Sequence, residues 1–342
     1  MPPLTADRLK ELDKRKNVFF RHSDAEFFLA ERDGRLVGTI AAIENRRHLE
    51  THGDGTGFFG FFECVADTAV AAALVEAAAD WLRSRGLEFM RGPINFNMND
   101  PTGVLLNAYD LAPVVMMAYN PPYYAELLEK NGFEKCHDLY AYRAANDRPP
   151  PDRLKRAYDR LLRKGRFRIR HLEMSRFQEE VALLFAVHAE AWEENWGEVP
   201  VTEEEVRLIA SALKVFIDPE LIHVVLEGHK AVALSVALPD ANQALIRARG
   251  RRFPLGLLKI LRARKRIDTV REILMGVLKP YRGLGIDAAL TYKTWQTGLE
   301  KGYRWREMSW VLESNEAMWR SLEMVGAERY KTYRLYQKVL GG

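Results

Sequence analysis

The chain has 342 residues, 47% of them hydrophobic and 29% charged, with a formal net charge of +4. That balance excludes disorder, and no apolar run approaches the roughly 20 residues a membrane helix needs. Two cysteines, Cys64 and Cys136, are too few for a disulfide framework or a structural zinc site, and the start lacks a signal-peptide pattern, so the expected location is cytoplasmic.

Charge is unevenly spread. Residues 1–150 carry 17 Lys/Arg against 22 Asp/Glu, and residues 151–342 carry 34 against 25. A polyanionic partner is therefore expected at the second half: nucleic acid, anionic lipid or a phosphate-bearing cofactor.

In the first half, 26–30 and 36–42 read as strands joined by the turn Arg32-Asp33-Gly34. Residues 57–64 are Phe-rich and read as a buried strand, and 68–85 as an Ala-rich helix closed by Gly86. A strand starts near Phe89, and 92–110 reads as a loop dense in Asn, Asp, Pro and Gly. The run 123–130 reads as a helix and 139–142 as a strand. Three consecutive prolines, Pro149 to Pro151, exclude helix and central strand, so 146–152 reads as a stiff linker between 1–145 and 153–342.

The second half repeats the order. Helices are expected over 152–164 and 176–192, with another starting at Thr202, where Glu205 completes a capping box. Residues 221–226 and 231–238 read as a hairpin and 270–278 as a strand. A Gly-containing turn leads to a helix over 286–301, then a strand over 306–312, a helix over 315–325 and a Tyr-rich strand over 329–339. The duplicated order predicts an α/β (α+β) chain with two tandem domains, each a mixed central sheet flanked by helices.

The chemistry-bearing segment is Gly276-Val277-Leu278-Lys279-Pro280-Tyr281-Arg282-Gly283-Leu284-Gly285-Ile286-Asp287. A strand entering a Gly turn and then a helix offers unpaired N–H groups and the helix dipole to a phosphate. Arg282-Gly283-Leu284-Gly285-Ile286 resembles the pyrophosphate loop of the GCN5-related N-acetyltransferases, Arg/Gln-x-x-Gly-x-Gly/Ala. The likeness spans about 218–339, with an echo at 26–142 whose Val65-Ala66-Asp67-Thr68-Ala69 has neither Gly nor Arg.

The resemblance implies an acyl-CoA-dependent N-acyltransferase without metal. Acetyl-CoA or another acyl-CoA would bind the second copy, with its pyrophosphate over Arg282, Gly283, Leu284, Gly285 and Ile286 and its pantetheine near Val277 and Leu278. Asn315 and Tyr330 are the positions it implies near the thioester. Two positions depart from the family: Asp287 replaces Gly or Ala, and Leu322 stands where a Tyr commonly protonates the leaving thiolate.

The expected acceptor is a small-molecule or peptide amine. Asn97 and Asn99 in the Asn-rich loop read either as acceptor contacts or as side chains bonding their own backbone. Glu193 or Glu194 reads as a carboxylate for a cationic amine or as a solvated helix end. The stretch 247–271 holds ten basic residues against Asp268 alone. It reads as a solvated basic helix, a wall for an acidic acceptor or the CoA phosphate, or a contact with an anionic membrane. No nucleic-acid fold is recognisable, so nucleic acid is not expected. The alternative to an enzyme is a catalytically degenerate protein of the same fold, docking to a membrane or acidic partner through 247–271. Peptide-type transfer from a charged tRNA is a third reading.

Overall fold

The structure, a computed structural model, describes residues 4–163, 165–193, 195–248 and 255–341, and only the backbone of Leu255 and Leu257. In the first half the elements are α1 (Thr5–Leu12), β1 (Asp24–Arg32), β2 (Arg35–Glu44), α2 (Arg46–His52), β3 (Thr56–Cys64), α3 (Thr68–Arg83), β4 (Phe89–Gly92), β5 (Val104–Leu105), α4 (Tyr124–Lys130) and β6 (Glu134–Ala145). The second half begins with α5 (Asp152–Arg163), β7 (Phe167–His171), α6 (Phe177–Trp192), α7 (Glu203–Leu213), β8 (Ile222–Glu227), β9 (Lys230–Pro239) and α8 (Asn242–Leu245). It ends with α9 (Leu255–Arg264), β10 (Thr269–Val277), α10 (Ile286–Glu300), β11 (Trp305–Leu312), α11 (Glu316–Met324) and β12 (Glu328–Val339).

Local chemistry sets the element ends. Asp33 (φ 51°) and Gly34 (φ 71°) put both central residues of the β1–β2 turn in the left-handed region that a tight hairpin requires. The Thr202–Glu205 capping box starts α7. Asp67 starts α3, its Oδ1 accepting from the N–H groups of Ala69 and Val70.

Each half builds the same ladder. β1, β2 and β3 pair antiparallel and β3 pairs parallel with β4. β8, β9 and β10 pair antiparallel and β10 pairs parallel with β11. The two ladders then exchange their last strands. β6, from the first half, pairs with β11, and β12, from the second, pairs with β4. β6 and β12 lie side by side in the middle. The result is one 12-stranded sheet in the order β1-β2-β3-β4-β12-β6-β11-β10-β9-β8-β7, with β5 added to β12. The mixed sheets expected in the two halves are joined edge to edge into this one sheet through the β4–β12, β12–β6 and β6–β11 pairings. The proline-rich segment 146–152 is itself tied to the second half, where Asn146 Nδ2 donates to Tyr303 O and Trp295 Nε1 to Arg148 O.

Helices cover both faces of the sheet. Leu74, Ala78 and Leu82 of α3 close one core of the first half, and Ile286, Ala289 and Leu290 of α10 close one of the second. α9 buries Ile260 and leaves Leu258 (64%) and Leu261 (40%) exposed beside Lys259, Arg262, Lys265 and Arg266. Arg249, Arg251, Arg252 and Phe253 of the basic stretch, and Glu194, lie outside the described residues.

Candidate active site

The site begins where two parallel strands part. β10 and β11 are paired from Thr269↔Trp305 to Glu272↔Met308 and no further. On its other edge β10 carries an irregularity between Glu272 and Leu274, where its register with β9 shifts. Such bulges bend a strand and re-aim its side chains. Beyond this point 273–277 and 309–312 diverge and leave a slot in the sheet.

The first half has the same parting and fills it. After Phe58↔Arg91 the partners separate. Ile94 then donates its N–H to Phe59 O at 2.7 Å, and Asn95 Oδ1 accepts from Phe61 N at 2.7 Å. The following helix is also closed, because the Asp67 carboxylate occupies its first turn and is held by Arg32. A pyrophosphate would meet a negative charge there.

In the second half both places are open. Gly285 is the N-cap of α10 and offers no side-chain acceptor, so the first-turn N–H groups face outward. Gly283 (φ 77°) and Gly285 (φ 80°) take left-handed backbone that non-glycine residues resist, and a Cβ at either would meet nothing within 4 Å. Arg282 braces the loop: Nε donates to Val277 O at 3.2 Å and Nη2 to Ala191 O at 3.0 Å.

The slot opens into a cavity of about 860 Å³. One wall is α6 and α7, with Val181, Leu184, Val206, Ile209, Ala210 and Leu213. Ile273, Leu274 and Val277 of β10 and Trp310 and Leu312 of β11 face them. Met98, Asn99, Met116 and Leu139 of the first half close one end, while Arg282 and Asp287 mark the loop. Close packing fixes the α6 wall: a Cβ on Gly276 would lie 2.0 Å from the Trp192 ring, so only glycine lets the indole seat on β10.

Few polar groups line this apolar space. His188 stacks on Trp192, and burial pushes its imidazole down to about 4, so it is neutral at pH 7. Burial raises the Glu272 carboxyl, whose Oε1 accepts from Ser235 Oγ at 2.8 Å. Burial also raises Glu198, to about 7. Arg271 is buried and fully engaged: Nε donates to Ser309 Oγ, Nη2 to Ser309 O and Nη1 to Val115 O. Among the described residues no group of three or more His, Cys, Asp or Glu could hold a metal ion, and no helix is long and apolar enough to cross a membrane.

No family model matches the chain. It is 37% identical over 99% of its length to "Bacterial ceramide synthase" of Caulobacter vibrioides, covering 90% of that protein. It is 34% identical, again over 99%, to protein YghO of Escherichia coli, covering 88% of it. This chain belongs to the bacterial ceramide synthase family. The fold is that of the GCN5-related N-acetyltransferases. The Sphaerobacter thermophilus member of that fold matches 93% of the chain and 81% of its own, with TM-score 0.55 at 17% identity. A tandem protein of the same fold from the clavulanic acid pathway matches 94% and 84%, with TM-score 0.52 at 11% identity.

This ceramide-synthase-family chain gathers some of the sequence-expected residues and not others. Val277, Arg282, Asp287, Asn315, Leu322 and Asn99 line the cavity. Gly283, Leu284 and Gly285 form the turn at the N-terminus of α10; Ile286 contributes its backbone, while its side chain packs in the core. Leu278 is buried and its N–H donates to Val232 O at 3.0 Å, so it supports the strand end instead of facing the slot. Asn315 spends Oδ1 on Met318 N as the N-cap of α11. Tyr330 does not line the cavity; its hydroxyl donates to Glu307 Oε2. Asn97 Oδ1 accepts from Asn99 N at 2.7 Å and is a turn-former. Glu193 is exposed and outside the cavity lining.

Sequence reasoning missed Glu198, Glu272, Ser309 and Trp310. Glu272 carried a usable signal, as a lone carboxylate in the strand leading to the glycine loop. Glu198 carried none, because the placement of its loop depends on contacts with the other half.

Proposed function

We propose that this chain transfers a long acyl group from acyl-CoA to the amine of a lipid-like acceptor, forming an amide. The observation that carries the reading is the apolar cavity opening directly from the slot beside the uncapped α10 N-terminus. Acetyl transfer needs no such room, whereas roughly 300–1,000 Å³ is the size that buries most of a ligand. A ceramide is the N-acyl amide of a long-chain amino alcohol, so the name of the Caulobacter relative supports the same chemistry.

In this reading the phosphates sit on the N–H groups of the Arg282–Ile286 turn, and pantetheine runs along the free edge of β10 in the slot. The thioester then lies near the irregularity at Glu272–Leu274, and the acyl chain lies between α6–α7 and the sheet. The protein aligns an amine against the thioester, removes its proton and excludes water. The test is incubation of the purified protein with dodecanoyl-CoA and sphinganine in detergent micelles, followed by mass spectrometry of the amide. Stoichiometric free thiol and N-dodecanoyl product are expected. Hydrolysis alone, or transfer from acetyl-CoA only, would contradict the reading.

A further inference from the structure

Residues 192, 193 and 195–198 lead from the second half to the first, and each anchor is visible. Trp192 seats on Gly276. Trp196 stacks on His137 of β6, with centroids 4.2 Å apart and planes 11° apart. Gly197 (φ 71°) lies against Met98. Glu198 N donates to Asn195 O at 3.1 Å, and His52 Nε2 of α2 donates to Glu198 O at 2.8 Å. Four fixed points thus set the backbone of Glu198, and Glu198 lines the cavity. Among the described residues nothing donates to that carboxylate.

A second unmet group lines the same cavity. Asn99 Nδ2 is buried and has no hydrogen-bond partner among the described residues. A buried amide N–H left unpaired costs on the order of 1–3 kcal/mol. A carboxylate without a cation in an apolar cavity is likewise strained. One ligand relieves both if it carries an ammonium and, beside it, an oxygen acceptor on an apolar chain.

We propose that Glu198 and Asn99 form the polar end of the acceptor site, Glu198 as the general base for the amine and Asn99 as donor to a neighbouring hydroxyl oxygen. The proposal rests on the acyltransferase reading above and adds the residues that take the acceptor. The ammonium gives one proton to the Glu198 carboxylate. The free amine nitrogen attacks the thioester carbon, and a C–N bond forms. The second proton passes from that nitrogen to sulfur as the C–S bond breaks. The products are the amide, CoA thiol and a protonated Glu198, which returns its proton to solvent.

Among the described residues, His137 of β6 and Arg91 of β4 pack on Trp196, two residues from Glu198. His188 on α6, Arg271 and Glu272 on β10, Arg282 in the loop and Asp287 on α10 line the same cavity, and His52 on α2 holds its backbone. Burial is what raises its carboxyl.

The test uses the full chain with dodecanoyl-CoA and a long-chain 2-amino-1-alcohol. Glu198→Gln should bind dodecanoyl-CoA as the wild type does by calorimetry, yet lose about 10²-fold or more in kcat. It should also lose the rising limb of kcat near pH 7, while Glu198→Asp recovers part of the rate. Asn99→Leu should raise KM for the amino alcohol several-fold more than for the corresponding plain amine. Wild-type kcat and pH profile in Glu198→Gln would overturn the proposal. So would loss of dodecanoyl-CoA affinity in that variant, which would make Glu198 a structural group. Transfer of the pH limb to Glu272→Gln would assign the base to Glu272 and overturn it as well. If the wild type itself binds no acyl-CoA, the acyltransferase reading fails instead.

Discussion

Glu198 is expensive to ionise in the folded protein and cheap to ionise in the unfolded chain. Its folded value of about 7 stands above the ordinary 4.5 because burial disfavours the charge. The raised group therefore contributes its full stability below about pH 4.5, and that contribution is lost as pH rises through 7. The whole effect is at most on the order of 3 kcal/mol. Glu198→Gln keeps the neutral form at every pH. Its thermal midpoint should equal that of the wild type at pH 4.5 and exceed it by several degrees at pH 8. Equal midpoints at both pH values would mean that the carboxylate reaches water. Asp67 and Gly285 make the complementary contrast: a carboxylate satisfies the helix start in the first half, and a bare glycine leaves it open in the second. One residue thus separates a capped helix start from an uncapped one. Asp287, exposed on the first turn of α10, does not cap it.

At the scale of elements, most of the ladder was legible from residue patterns. Arg32-Asp33-Gly34, Thr202 with Glu205, and the glycines at 283 and 285 announced a hairpin, a capped helix start and a glycine turn into a helix, because each feature depends on residues close in sequence. α1, α2 and β7 were not read, being short and weakly patterned. The slot was not legible either, since it exists only where β10 leaves β11. The exchange of β6 and β12 could not be seen, because alternation fixes which face a strand buries and not which half it completes. That exchange has a measurable consequence. Residues 1–150 alone lack the strand that separates β4 from β6, and 151–342 alone lack the strand that separates β12 from β11. Neither fragment should show a cooperative unfolding transition by circular dichroism, and co-expressed together they should restore one. An independently folded 1–150 would contradict the shared sheet.

For the whole molecule, the continuous sheet brings both halves to one cavity. The first half has filled its own slot with Ile94 and Asn95 and closed its helix start with Asp67. It then lends Met98, Asn99, Met116 and Leu139 to the far end of the cavity of the second half. In the proposed function, this cavity holds the acyl chain of a CoA thioester. The most direct measurement is calorimetric titration of CoA, acetyl-CoA, octanoyl-CoA and dodecanoyl-CoA, below their micellar concentrations, into the wild type and Ala210→Trp. About 0.8 kcal/mol per buried methylene predicts roughly tenfold tighter binding for each two added carbons until the cavity is full. In Ala210→Trp the bulky ring in the α7 wall should flatten that series while leaving the affinity for CoA itself unchanged. Affinities independent of chain length in the wild type, or the same chain-length slope in Ala210→Trp, would contradict the account.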